Sequence, residues 1–332
     1  MRRLVLAIVL AGVAGTLGLL HWMVRHDRYA DFVEPVFVDI PHGTSSWSIG
    51  EKLSAAGVVR KAWLFQLARL TKPGKPAQAG EYRFAEAATP AEVVARLAAG
   101  DVFLIEVRVP EGSDVFDIAA AVERAGLGTA RAFLDEARSP DLIHDLAPDA
   151  PSLEGYLFPA TYRFRRNVEM SDVCRAMTAQ FRRVWRELDP PSGDPNASVT
   201  LASMVEKEAA LAEERPRIAG VYAARLRIGM KLDCDPTVVY ASLVEGRWKG
   251  VIHRSELESK NRYNTYQHAG LPPGPIANPG RDALRAALHP LVTDDLYFVA
   301  TPGGGGAHTF SKDIDTHEKA VASYRRGHRK RK

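Results

Sequence analysis

The chain has 332 residues, of which 46% are hydrophobic and 25% charged, a balance that excludes general disorder and allows two domains with ordinary cores. The formal net charge of +4 is mildly basic, and part of the excess lies in a closing basic tail, residues 326–332. No basic stripe with interleaved aromatic residues suggests a nucleic-acid groove, so we expect no nucleic-acid partner.

An uncharged apolar run, Leu4–Val24, has the length needed to cross a hydrocarbon core of about 30 Å. No A-x-A cleavage site follows the run, which favours an uncleaved single-pass anchor over a signal peptide. Arg25 and Arg28 balance Arg2 and Arg3 across the run, so charge counting leaves the orientation open.

A small pattern of alternating strands and helices follows a polar linker. Its predicted elements are a strand Val36–Ile40, a helix capped by Thr44 or Ser45 and ended by Gly57, a helix Lys61–Leu70, a strand Gly80–Phe84 and a helix Pro90–Ala98. The strand–helix–helix–strand order resembles the LysM-like fold, which grips N-acetylated glycans. A spacer module without binding function is the alternative.

A second region opens on the strongest strand pattern in the chain, Val102–Val109. Predicted helices follow at Asp114–Ala125, Ala130–Ala137 and, after an aromatic segment Leu153–Phe164, at Ser171–Leu188. Aromatic residues at this density usually form core, although Glu154 could instead rim a carbohydrate cleft.

The alanine-rich run Leu201–Arg217 predicts a helix that begins after Ser198 or Thr200 and ends near Pro216. Glu206 and Glu208 lie two residues apart, about 200° around a helix, so they cannot share one substrate pocket and only one can be the catalyst. Apolar neighbours one turn away disfavour the charged form of Glu208, which would suit a proton donor; these neighbours are Met204, Val205, Leu211 and Ala212. A solvated surface helix is the alternative.

A further helix is predicted at Ile218–Ile228, and the next begins at Asp235-Pro236, where Asp235 is an N-cap or, alternatively, a catalyst. The loop Asn261–Gly280 contains four prolines and cannot be a helix or a central strand. Its aromatic faces, amide and hydroxyl groups could hold a sugar ring and its N-acetyl arm, and the residues concerned are Tyr263, Asn264, Thr265 and Tyr266.

The end of the chain predicts a helix Asp282–Leu288, strands Leu296–Ala300 and His308–Ser311, and a last helix His317–Arg325. His308 could line a site, but a lone histidine on a strand is more often structural. The glycine run Gly303–Gly306 lacks the Lys-Ser/Thr pair of a phosphate loop, and a hairpin connection is the better interpretation.

The two cysteines, Cys174 and Cys234, lie far apart and lack the Cys-x-x-Cys or histidine spacing of a zinc site. Whether they pair in a disulfide stays open. We predict no metal and no cofactor.

Several segments, taken together and in this order, resemble the MltG (YceG-like) family of endolytic murein transglycosylases. They are EGYLFPATY at Glu154–Tyr162, ASMVEKEAA at Ala202–Ala210, RLRIGMKLDCDPTVVY at Arg225–Tyr240, YNTYQHAGLPPGPIANPG at Tyr263–Gly280, His289-Pro290, LYFVA and HTFS. The resemblance implies that Glu208, the second glutamate of the EKE motif, is the essential one. The chain departs from the family pattern at Ala209, where threonine is usual, and at Ala160, where aspartate is common.

The fold class predicted in this way is α+β, with an N-terminal transmembrane helix, a small LysM-like α+β module and a larger α+β catalytic domain. The boundaries are a short N-terminal tail (1–3), the anchor (4–24), the linker (25–35), the LysM-like module (36–101), the YceG-like catalytic domain (102–325) and the basic tail (326–332). The resemblance also implies a location in the cytoplasmic membrane, with the catalytic domain on its outer face, and partnership with peptidoglycan synthases.

The chemistry implied by the resemblance needs one carboxyl group. Glu208 would protonate the bond between N-acetylmuramic acid and N-acetylglucosamine and then take the proton from the C6 hydroxyl, which gives a 1,6-anhydro end. Two alternatives stay open: a muramidase that uses Asp235 or Glu154 as a second carboxylate, and a non-catalytic scaffold that binds the cell wall. Glycan contacts are expected at Glu154 and at the four residues 263–266.

Overall fold

The computed structural model describes residues 1–71 and 75–329, which form two compact units, residues 1–105 and residues 106 onward. Helices and short antiparallel strand pairs occur in both, so the predicted mixed α+β class is confirmed. The last three residues of the predicted basic tail, 330–332, lie outside the described residues.

The first unit has an N-terminal helix followed by a small α+β module. Its elements are α1 (Arg2–Arg25), β1 (Val36–Ile40), α2 (Ser46–Ala55), α3 (Ala62–Thr71), β2 (Gly80–Phe84) and α4 (Pro90–Ala99). The strands β1 and β2 pair antiparallel, with Val38 opposite Tyr82. Residues that alternate along both strands point into a core shared with α2, α3 and α4, as the sequence predicted.

The N-terminal helix α1 has the length and composition of a membrane span. It is 24 residues long, and an 18-residue window within it has a mean hydropathy of 2.2 and no residue buried inside the protein. Among the described residues it is the one helix that passes this test. It is consistent with a single-pass anchor.

The second unit contains nine α-helices and four strands within the described residues. They are β3 (Ile105–Arg108), α5 (Val115–Arg124), α6 (Ala130–Ala137), β4 (Thr161–Phe164), α7 (Met170–Glu187), α8 (Pro195–Glu208), α9 (Arg215–Arg227), α10 (Asp235–Val244), α11 (Arg254–Leu257), α12 (Arg281–Leu288), β5 (Tyr297–Ala300), β6 (His308–Ser311) and α13 (Ile314–Arg329). Strand β3 pairs with β4, and β5 pairs antiparallel with β6.

The bounds predicted for the central helix, Leu201–Arg217, are wrong at both ends. Helix α8 already begins at Pro195, because the Asp194 side chain accepts a hydrogen bond from the amide of Asn196 and caps it. It ends at Glu208, where Ala209 turns the backbone to an extended conformation (φ −80°, ψ 105°). Pro216 lies inside the first turn of α9 and does not stop a helix. Helix propensity alone could not locate this break, since tertiary contacts override it.

Three other boundaries also differ from the sequence prediction. The strand predicted at Val102–Val109 shortens to β3, and the last helix begins earlier and runs further than His317–Arg325. Cys234, and not Asp235, stands at the N-cap position of α10. The loop Asn261–Gly280 contains no helix or strand, as predicted.

Candidate active site

The end of helix α8 positions the predicted catalytic carboxyl group. The helix is buried almost throughout, with Met204 and Val205 fully enclosed, and Glu208 is its last residue. The chain turns away at Ala209, so no further helical turn covers Glu208, which stays half-buried. Met204 and Val205 form the apolar helical turn before Glu208, as predicted. The predicted helical turn after it, with Leu211 and Ala212, does not form.

Burial raises the pKa of the Glu208 carboxyl, and the charge of Asp235 raises it further. The Cys234 thiol acts in the opposite direction, since its Sγ donates a hydrogen bond to Glu208 Oε1 at 3.3 Å and so lowers the pKa, as do the charge of His308 and the nearby Tyr222 hydroxyl. Burial is the largest of these effects. The negative end of the helix dipole should act in the same direction as burial. The Glu208 carboxyl therefore holds its proton to a higher pH than a solvent-exposed glutamate does.

The Cys234 thiol stays protonated beside Glu208, because burial and the neighbouring carboxyl both raise its pKa well above the usual value. The hydroxyl of Tyr222 is buried in the same place and makes no hydrogen bond of ordinary geometry within the described residues. It nevertheless lies close enough to lower the pKa of Glu208. The site therefore places a thiol and a phenol, two neutral polar groups, around one carboxyl.

Thr265 fixes the turn that carries Cys234. Its hydroxyl accepts a hydrogen bond from the Cys234 amide at 3.0 Å and lies 2.9 Å from the hydroxyl of Thr237, which in turn donates to the Cys234 carbonyl. The Thr265 side chain is 1% exposed. Thr265 thus lies beneath the surface, where it joins the loop Asn261–Gly280 to the first turn of α10.

The two tyrosines of the loop are partly exposed, unlike Thr265 and Asn264. The hydroxyl of Tyr266 donates to Asp235 Oδ1 at 2.6 Å, and the Tyr263 ring lies 4.9 Å from the ring of Tyr240. Asp235 therefore holds the loop instead of capping α10. This contact brings the tyrosine-bearing segment to the residue that follows Cys234.

Asn264 is fully enclosed and organises its own loop. Its Nδ2 donates towards the carbonyls of Glu256, Leu257 and Ser259 at 2.8–3.2 Å, and its Oδ1 accepts from the Tyr266 amide. All of its hydrogen-bonding groups are used within the protein.

Glu154 also lies inside the protein, where it is 1% exposed. Its Oε2 accepts from the Val115 amide at 2.8 Å and its Oε1 from Asn278 Nδ2 at 2.7 Å. Burial raises its pKa to about 8, although the Val115 amide and the nearby Tyr240 hydroxyl lower it. The structure thus places Glu154 at the N-terminus of α5 and not at a cleft rim; whether it affects glycan binding stays a prediction.

Glu206 points to other partners than Glu208, as the two-residue spacing requires. Its Oε1 forms an ion pair with Arg215 at 3.1 Å, and its Oε2 accepts a hydrogen bond from the Gly280 amide at 2.9 Å. The Glu206 side chain is 6% exposed and that of Arg215 14% exposed. One carboxylate thus joins the end of α8, the start of α9 and the end of the long loop.

Two residues of this site were missed by sequence reasoning. Cys234 was considered for metal or disulfide chemistry, and the structure has both cysteines as free, buried thiols. Tyr222 lies within the helix predicted at Ile218–Ile228 and was not among the candidate site residues. Both lie more than a dozen residues from Glu208 in the chain, so no local pattern connects them. His308 was considered, and its Nδ1 lies 2.7 Å from Glu214 Oε2.

The model of the YceG-like family matches residues 38–323. The chain belongs to the YceG-like family. It is 32% identical over 309 residues to the endolytic murein transglycosylase of Bacillus subtilis, a match that covers 87% of this chain and 84% of that protein.

Two other relatives support the assignment of this protein to the YceG-like family. It is 27% identical over 321 residues to the endolytic murein transglycosylase of Streptococcus pneumoniae, with 87% of this chain covered but only 58% of the longer pneumococcal protein. The crystal structure of a YceG-like protein from Listeria monocytogenes is similar with a TM-score of 0.55 and 29% identity, over 86% of this chain and 99% of the other.

We expect the Glu206→Ala variant of this YceG-like protein to be destabilised by roughly 3 kcal/mol, because the buried Arg215 guanidinium and the Gly280 amide would lose their common partner. Thermal unfolding of the second unit measures the loss. The matched control is Glu213→Ala, which removes an exposed carboxylate from the same segment and should leave the unfolding temperature almost unchanged. Equal stability of the two variants would contradict this role of Glu206.

Proposed function

We propose that this YceG-like protein is an endolytic murein transglycosylase that cleaves peptidoglycan glycan strands internally. The observation that carries the proposal is the Glu208 carboxyl, which burial keeps protonated more readily than a solvent-exposed glutamate and which is still partly exposed at the end of α8. The relatives that share most of the chain's length bear this activity in their names.

The reaction needs one carboxyl group that serves twice. Glu208 donates its proton to the glycosidic oxygen as the bond from N-acetylmuramic acid to N-acetylglucosamine breaks. The same carboxylate then accepts the proton of the muramic acid C6 hydroxyl as its oxygen bonds to C1, which gives a 1,6-anhydro ring. Every atom is accounted for without water, and Glu208 ends protonated, as it began.

The arrangement around Glu208 supports this double use. A group that must both give and take a proton works best with a pKa near the working pH. Burial raises the pKa of Glu208, while the thiol of Cys234 stabilises the charged form that follows proton donation. Because burial favours the neutral carboxyl and the thiol favours the carboxylate, both protonation states of Glu208 stay accessible.

Substrate contacts are proposed for the partly exposed tyrosines of the long loop. The Tyr263 and Tyr266 rings offer stacking faces for pyranose rings close to the turn that carries Cys234. For Glu154, Asn264 and Thr265, which are buried, the proposed contribution is indirect: they hold the segments that carry those rings.

The muramidase alternative requires a second carboxylate with access to substrate. Glu154 has both oxygens occupied by protein donors in the interior, and Asp235 is exposed but bonded to Tyr266. Neither the names of the relatives nor these contacts favour hydrolysis.

We further propose that the first unit is a LysM-like module and that α1 anchors the chain in the cytoplasmic membrane with the second unit on the outer face. The order β1–α2–α3–β2 supports the module, and the location of the glycan substrate outside that membrane supports the orientation. Cleavage of nascent strands would limit their elongation, which makes peptidoglycan synthases the proposed partners.

Replacing Glu208 by glutamine removes the transferable proton and preserves the shape of the side chain. We expect cleavage of purified glycan strands to fall by at least about 100-fold, the smallest contribution expected of a general acid. The control Glu213→Gln, in an exposed position nearby, should cleave like the wild type. Unimpaired cleavage by the Glu208 variant would refute its role, and glycan binding without cleavage by the wild type would support a scaffold.

The nature of the new ends separates the two enzymatic readings. Mass spectrometry of the products should find 1,6-anhydro-N-acetylmuramic acid at the new ends, each lighter by one water than a reducing end. Internal cutting should also give fragments of many lengths from the start of the reaction. Reducing ends without the anhydro sugar would establish a hydrolase instead.

The alkaline limb of the pH–activity profile should depend on Cys234. Activity is lost as the pH rises through the pKa of Glu208, because the carboxyl must start protonated. The thiol lowers that pKa, so the Cys234→Ala variant should carry its alkaline limb to higher pH, with a lower maximal rate because the carboxyl is less well oriented. Cys234→Ser, which keeps a donor, should restore the rate; an alanine variant with an unshifted limb would contradict the contact.

A further inference from the structure

The segment that follows the apolar helix α1 is fastened to the small module and is not a free tether. Val24, in the last turn of α1, is 1% exposed within the first unit. The following contacts tie residues 27–31 to the module: Asp27 to Arg60 at 3.5 Å, Arg28 to the Ala87 carbonyl at 2.7 Å, Tyr29 to Ala88 through both backbone groups, and the Asp31 amide to the Gly57 carbonyl at 2.9 Å.

This fastening holds helix α3 beside the end of α1. The covered face of α1 is confined to its last turns, at Leu20, Met23 and Val24, and α1 packs against α3 and α4. Arg60, two residues before α3, meets Asp27, two residues after α1 ends. If α1 crosses a bilayer, α3 must therefore start at the level of the headgroups.

Helix α3 has a second apolar face in addition to the one in the core. Leu64, Phe65 and Ala68 are buried among the module's core residues. The opposite side presents the interfacial stripe, which we define as Trp63, Leu67 and Leu70, residues spaced i, i+4 and i+7 on one face.

The composition around the interfacial stripe fits a lipid surface. Trp63 is 42% exposed and Leu70 75% exposed, Leu67 is partly exposed between them, and the charged residues Lys61 and Arg69, near the two ends of α3, are exposed. A tryptophan and aliphatic side chains with flanking cations are the composition of helices that lie in a membrane interface. A sugar stacks on aromatic faces, and the two leucines offer none, which argues against glycan as the occupant.

We propose that α3 lies on the outer leaflet of the membrane that α1 spans, with the interfacial stripe in the headgroup–acyl boundary and Lys61 and Arg69 on anionic lipid phosphates. The proposal rests on α1 as a membrane anchor, which is part of the proposed function. Its consequence is that the module is held flat on the bilayer instead of reaching away from it.

Tryptophan quenching in vesicles tests the proposal on the full chain. The protein is reconstituted in vesicles that contain phosphatidylglycerol, with bromine atoms on the acyl chains near the headgroup, and brominated and unbrominated vesicles are compared. Quenching should decrease in the Trp63→Phe variant and stay at the wild-type level in Trp47→Phe, which removes an exposed tryptophan of α2 outside the stripe. Leu70→Trp, at a position too exposed to disturb folding, should add quenched emission.

Several results would overturn the proposal. They are unchanged quenching in Trp63→Phe, an equal decrease in both phenylalanine variants, or unquenched new emission in Leu70→Trp. A blue shift of the Trp63 emission with soluble glycan fragments but not with vesicles would identify glycan as the occupant. The absence of any quenching in the wild type would refute the anchor too. Because glycan cleavage is not the readout, failure here is distinct from failure of the enzymatic proposal.

Discussion

The geometry of the site depends on the two contacts that the Glu206 carboxylate makes. The ion pair with Arg215 and the hydrogen bond from the Gly280 amide are both made from the last turn of α8, and they link the end of α8, the start of α9 and the end of the long loop. In a continuous helix with a rise of about 1.5 Å per residue, Glu206 and Arg215 would be separated by about 13.5 Å along the axis. That separation is too large for an ion pair. The break after Glu208 is therefore coupled to this pair, and the break is what frees the Glu208 carboxyl from a helix surface.

The end of a helix is an unusual place for a carboxylate, and this has a chemical consequence. The C-terminus of α8 carries the partial negative end of the helix dipole, which disfavours a negative charge on a residue of the last turn. Burial acts in the same direction. A glutamate in the middle of an exposed helix would have neither influence and would ionise at its ordinary pKa.

Local sequence patterns predicted most elements well, because their boundaries depend on local chemistry. The Thr89 cap, for example, meets Glu92 in a capping box that the sequence fully contains. The strands β1 and β2 have the bounds that the sequence predicted, Val36–Ile40 and Gly80–Phe84. The break in α8 could not be predicted in this way, since the alanine-rich run favours helix and the contacts of Glu206 with Arg215 and Gly280, which oppose a continuous helix, form only in the folded protein.

For the candidate site, too, local sequence patterns predicted only those features that do not depend on tertiary contacts. The helical spacing separated Glu206 from Glu208, and the resemblance to a family selected Glu208. The sequence could not indicate that Glu154 lies in the interior, where its carboxylate accepts two hydrogen bonds. The aromatic segment around it is compatible with a core and with a cleft. Nor could the sequence connect Cys234 with Glu208, since that contact exists only after the loop Asn261–Gly280 has fixed the turn before α10 through Thr265.

In the proposed mechanism, the thiol at position 234 suits a carboxyl that must start protonated. A sulfur donor forms a weaker hydrogen bond than a hydroxyl, so it stabilises the carboxylate less and leaves more of the burial-induced rise in pKa intact. It still gives the carboxylate that remains after proton donation a partner at 3.3 Å, which an apolar side chain could not supply. Because the raised pKa of Cys234 keeps the proton on sulfur, the thiol orients one oxygen of Glu208 without competing for the proton that the reaction uses.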